Sequence, residues 1–68
     1  MNGILEGLDT SSKIKALMAT RNLVQYDIAL LLGITTETVR QRMNANRWEV
    51  NDLKKMADAY GIDVTDLV

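Results

Sequence analysis

Apolar residues recur along this chain at intervals of three and four, the spacing of helices that bury one face. The clearest case is 50–60, VNDLKKMADAY, where Leu53, Met56, Ala57 and Tyr60 fall inside and Lys54, Lys55 and Asp58 outside. Gly61 follows, where a left-handed residue ends a helix. An earlier helix is expected to start from a Ser11 or Ser12 cap, run to about Arg21, and bury Ile14, Leu17 and Met18. Asn22 can take the terminating left-handed conformation, and Leu23 anchors the turn after it. A second helix spans about 25–32, with Ile28, Ala29, Leu31 and Leu32 on its inner half. Its N-cap position holds Val24, where Ser, Thr, Asp or Asn would serve better by about 1 kcal/mol. Gly33 then makes a tight turn, Ile34 plugs the core and Thr35 caps a third helix over about 36–44, with Val39 and Met43 inward. After the loop ANRW and the fourth helix, Asp63 is expected to cap a last short helical turn, with Asp66 as its reciprocal partner.

The pattern therefore predicts an all-α, compact bundle of five short helices and no strands. A chain of 68 residues makes one domain, and a domain this small buries only about 60% of its unfolded surface. Its 47% hydrophobic content makes that feasible, and Ala, Leu, Met and Ile suit helices better than strands. The domain is assigned to 11–68. Residues 1–10, MNGILEGLDT, are expected to be a mobile arm or a turn that orders on contact.

Composition narrows the chemistry. With no cysteine there is no disulfide or thiolate ligand, and with no histidine the commonest general base and metal ligand is missing. No phosphate-cradling glycine loop and no carboxylate pair in a plausible cleft stands out, so neither an enzyme nor a bound metal, cofactor or small-molecule substrate is expected. The longest apolar stretch, IALLLGI at 28–34, is too short to span a membrane, and no signal peptide is evident, so a cytoplasmic location is expected.

The net charge of −1 hides an uneven distribution. Residues 1–10 carry −2, residues 11–47 carry +4 and residues 48–68 carry −3. Because salt screens exposed charges beyond roughly 10 Å, a polyanion responds to the basic middle more than to the total.

Within that basic middle, Ala29, Gly33 and Val39 stand four, eight and fourteen residues after Gln25, with Ile28, Leu32 and Ile34 between them. Each has a steric reason in a helix-turn-helix: a small residue for close crossing, a glycine for the turn, and apolar residues to fix the two helices. QYDIALLLGITTETVRQRMN, followed by DLKKMADAYGIDVTDLV, resembles the lambda-repressor-like (phage repressor and Cro) helix-turn-helix domains over about 12–68. Three positions depart from the usual family pattern. Val24 replaces a polar cap, Arg42 stands where an apolar residue is common, and Met18 and Met43 occupy sites that some relatives fill with an Arg–Glu pair. An apolar Met–Met contact is expected there, avoiding the desolvation of a buried pair.

The resemblance implies a sequence-specific regulator that binds double-stranded DNA, repressor-like or Cro-like, phage or bacterial, with the third helix in the major groove. On that helix Thr36, Glu37, Arg40, Gln41 and Asn44 form one stripe away from Val39 and Met43. Arg40 suits guanine acceptors, Gln41 adenine, Glu37 the cytosine amino group and Thr36 a thymine methyl. Gln25, Thr35 and Thr38 at the helix mouths, with Asn46 and Arg47 in the loop, are the candidate phosphate contacts. Arg42 either joins them or pairs with an acid on the fourth helix. Trp48 lies where relatives pack an aromatic. Such domains often bind as homodimers to two-fold sites, and Val64, Leu67 and Val68 are the candidate dimer surface.

Tyr26 and Leu30 point outward together, where relatives usually carry charge. They are an incidental exposed pair, a surface covered by Ile4, Leu5 and Leu8 of the arm, or a docking site for a partner protein. The last option defines an alternative function: a protein–protein module on a helix-turn-helix scaffold, such as an antitoxin, an anti-repressor or a phage inhibitor of a host factor.

Overall fold

The computed structural model describes residues 9–68, so the arm positions Ile4, Leu5 and Leu8 lie outside the described residues. Four helices follow in order: α1 (Thr10–Arg21), α2 (Gln25–Leu32), α3 (Thr36–Ala45) and α4 (Val50–Tyr60). What was expected as a fifth helix is a single 3-10 turn, Val64–Asp66. Three residues cannot close an i→i+4 bond, and Asp63 holds the turn by accepting from the Thr65 N–H at 3.2 Å. The reciprocal bond, from the Asp63 N–H to Asp66, is 3.3 Å.

Each of the four helices sends one side chain to complete burial: Ile14, Ile28, Val39 and Met56 are all 0% exposed. Leu17, Met18, Ala29, Leu32, Met43 and Leu53 surround them, and Trp48, Tyr60 and Ile62 close the margins. Met18 and Met43 belong to the same buried cluster, which is consistent with an apolar α1–α3 contact. Leu67 is buried too, at 1% exposure. That corrects its assignment to a dimer surface, because a side chain inside the core has no area left to offer a partner. Of the other two residues in that group, Val68 is exposed and Val64 half-buried against the core.

Two helix starts differ from expectation. α1 begins at Thr10 and is capped by Asp9, whose carboxylate accepts from the Ser12 N–H at 2.8 Å. Neither Ser11 nor Ser12 caps it. Ser11 is buried instead: its N–H donates to Asn46 Oδ1 at 2.9 Å, and its hydroxyl accepts from Trp48 Nε1 at 3.0 Å. At α2, Val24 offers no side-chain acceptor, but its own N–H donates to Asp27 at 2.8 Å, so half of a capping box forms. The helix ends follow the sequence closely. Asn22, Gly33, Asn46 and Gly61 all adopt positive φ and cap α1 to α4 in turn.

Candidate nucleic-acid interface

The inner face of α3 is fixed by Val39 and Met43, both buried, so the opposite face must point outward. Thr36, Glu37, Arg40, Gln41 and Asn44 are all exposed on it. α3 packs against both α2 and α1, so the stripe rides on a helix supported from two sides.

The charges on this stripe are coupled. Arg40 Nε donates to both carboxylate oxygens of Glu37, at 2.9 and 3.1 Å, and Nη2 also donates to Oε1. Hydrogen bonding to Arg40 holds the Glu37 carboxyl below its ordinary range, with the opposite charge adding to the effect. The same bond and charge raise Arg40. The two residues were expected as separate base contacts, although their i,i+3 spacing is itself a signal of pairing.

The two arginines on α3 divide their labour. Arg40 is exposed, whereas Arg42 pairs with Asp52 at the start of α4, the second of its two expected partners. The pair is mostly buried, with side-chain exposures of 24% for Arg42 and 11% for Asp52. Asp52 also accepts from the Glu49 N–H at 3.3 Å, and no buried side-chain polar atom among the described residues lacks a partner. An acid on the fourth helix was one of the two expected partners, and the structure singles out Asp52, which is itself buried beside Leu53.

At the mouth of α3, the Thr35 hydroxyl accepts from the Thr38 N–H at 3.1 Å and lies 2.9 Å from the Thr38 hydroxyl. The Val39 N–H is taken by the Thr35 carbonyl. The N–H groups of Thr36 and Glu37 are outside these bonds, at a helix start where an anion is favoured. Gln25 opens α2 in the equivalent place, half-buried, with Asp27 bound back onto Val24.

A shallow open groove of about 550 Å³ runs between α3 and the following loop. It brings together Thr38, Gln41, Arg42, Asn46 and Arg47, four of them from the expected phosphate set. Gln25 and Thr35 are not part of it. Asn46 has a second duty, because its Oδ1 accepts from the Ser11 N–H at the start of α1, a bond that does not involve its side-chain N–H groups. Trp48 borders the groove but is half-buried and tied to Ser11. Among the described residues no group of His, Cys, Asp or Glu could hold a metal ion, and no helix is long and apolar enough to cross a membrane.

Two apolar side chains one turn apart on α2 remain uncovered by any described residue, Tyr26 and Leu30, at 59% and 64% exposure, and Val24 at the cap before the helix is 59% exposed.

Comparison with known proteins adds one finding. The sequence model of the Cro/C1-type HTH DNA-binding domain matches residues 13–68, which covers all of α2, α3, α4 and the 3-10 turn. No curated protein and no solved structure matches the chain.

Proposed function

From the premise that the chain belongs to the Cro/C1-type HTH DNA-binding domain family, which is non-enzymatic, we propose a sequence-specific transcriptional regulator of double-stranded DNA, repressor-like or Cro-like and of phage or bacterial origin. One observation carries the reading: five polar side chains, Thr36, Glu37, Arg40, Gln41 and Asn44, stand exposed on a helix whose other face is locked into the core. In this reading they meet base edges in the major groove, while Thr35, Thr38, Arg47 and the side-chain N–H groups of Asn46 meet phosphates and set the register. Arg42 contributes from behind, by fixing α3 to α4. Gln25 adds a backbone N–H at the α2 mouth.

Of the interface cations only Arg47 lies outside an ion pair among the described residues, so one copy binds weakly, and a second copy on an adjacent half-site supplies the remaining affinity. The experiment is selection from a random duplex pool with the parent chain, then with Arg40→Ala and Gln41→Ala. The parent should enrich a defined sequence, and each variant should relax preference at different positions. Binding should also fall steeply with added salt, as counterions released from contacted phosphates require. An unenriched pool, or binding indifferent to salt, would overturn the reading.

A second reading is favoured by the exposed Tyr26 and Leu30 pair: a protein–protein module on the same scaffold. It predicts partner binding that survives salt and is lost in Leu30→Glu. Under the leading reading the same variant keeps its operator affinity, its stability and its association state.

A further inference from the structure

We infer that Arg40 and Glu37 act as one unit that reads a G·C base pair, with Glu37 serving both to aim the guanidinium and to accept the cytosine amino group. This rests on the DNA-binding reading above and specifies what the centre of its interface recognises.

A guanidinium has five N–H donors in a rigid plane. Glu37 occupies the edge formed by Nε and Nη2. Nη1 and the second N–H of Nη2 make none of these bonds, and together they form the fork that matches guanine O6 and N7. The carboxylate, with about four lone-pair sites, accepts twice at Oε1 and once at Oε2, so Oε2 keeps capacity. The unit therefore presents two donors beside one acceptor. In the major groove a G·C pair presents two acceptors, N7 and O6, followed by the cytosine N4 donor. An A·T pair sets the adenine amino donor against the fork, which leaves two donors facing each other.

Bracing also changes what the arginine does away from its site. Unpaired, a flexible arginine on a groove-facing helix gains affinity from any nearby phosphate. Paired in this way, the unit carries no net charge, and a phosphate that attracts Arg40 repels Glu37. The pair thus contributes to discrimination and little to general affinity, which is how an acid can sit usefully on a face turned towards a polyanion. Both side chains are about half exposed, so replacing either leaves the core intact.

The test uses the full chain and its selected duplex, with the guanine assigned to Arg40 replaced in turn by 7-deazaguanine and the whole pair by A·T. The parent should lose roughly tenfold to a hundredfold with the A·T pair, and a smaller factor with 7-deazaguanine. Glu37→Gln and Glu37→Ala should bind random duplex more tightly than the parent does. Their salt dependence should steepen by roughly one phosphate contact, and most of the G·C preference should disappear. Arg40→Ala should lose the preference without that gain. A Glu37→Gln protein with the parent's discrimination and affinity for random duplex would overturn the unit while leaving DNA binding in place. A parent that enriches no sequence and ignores salt would overturn the unit and the reading beneath it together.

Discussion

Single side chains in this protein join α3 to α4 and cap α1, and both kinds of contact have measurable costs. Asp52 neutralises Arg42 in a mostly buried site. Removing the acid leaves a poorly solvated guanidinium, so Asp52→Ala should cost about 2 kcal/mol, less than the full penalty of a wholly buried pair. Urea unfolding measures it, and Arg42→Met with Asp52→Ala should cost less than the two single changes added together. Asp9 is the second case. Its carboxyl is held below the ordinary range first by the Ser12 N–H and then by the Ser12 hydroxyl, with Lys15 adding a smaller contribution. A lowered folded-state pKa means the cap is fully effective above the unfolded value and is lost as pH falls through the folded one. Asp9→Asn keeps the acceptor without the charge, so its thermal midpoint should fall less than the parent's between pH 7 and pH 3.

At the scale of elements, caps decide where helices start and stop, and they differ in how much of their role is local. Asn22 and Asn46 share a left-handed backbone, but only Asn46 also accepts from the distant Ser11 N–H. Asn22→Gly should therefore be neutral or slightly stabilising, whereas Asn46→Gly should lose about 1 kcal/mol through the missing hydrogen bond. Chemical denaturation of the two variants side by side checks the contrast. Val24 is the weak cap. Val24→Ser should gain about 0.5–1 kcal/mol by offering an oxygen to the first turn of α2, while Asp27 continues to accept from the residue 24 N–H. A gain in stability with unchanged operator affinity would show that the cap serves the fold alone.

For the whole molecule, the deciding fact is that one small centre is filled from every element. Leu67, three residues beyond the start of the last turn, is as buried as the helix residues it packs with. Leu67→Ala should cost about 2–4 kcal/mol, an effect visible as a lowered thermal midpoint. That outcome would separate a core residue from the dimer contact its position near the chain end suggested. The helix spacing, the left-handed ends at Asn22, Gly33 and Gly61, and the outward stripe on α3 were all legible in the amino-acid order, whereas the left-handed cap at Asn46 fell in what was expected as a loop. The legible features depend on neighbours within about a turn, and a 3.6-residue repeat records them directly. The Ser11 to Trp48 and Asn46 links, the choice of Asp52 over a phosphate as the partner of Arg42, and the burial of Leu67 were not legible, because they join residues ten or more positions apart or depend on which surface a turn is folded against. Sequence by itself thus determined the helices and the outward polar face of α3. Only the tertiary structure decided which charges on that helix remain unpaired, because a partner for a charge is chosen by proximity in space.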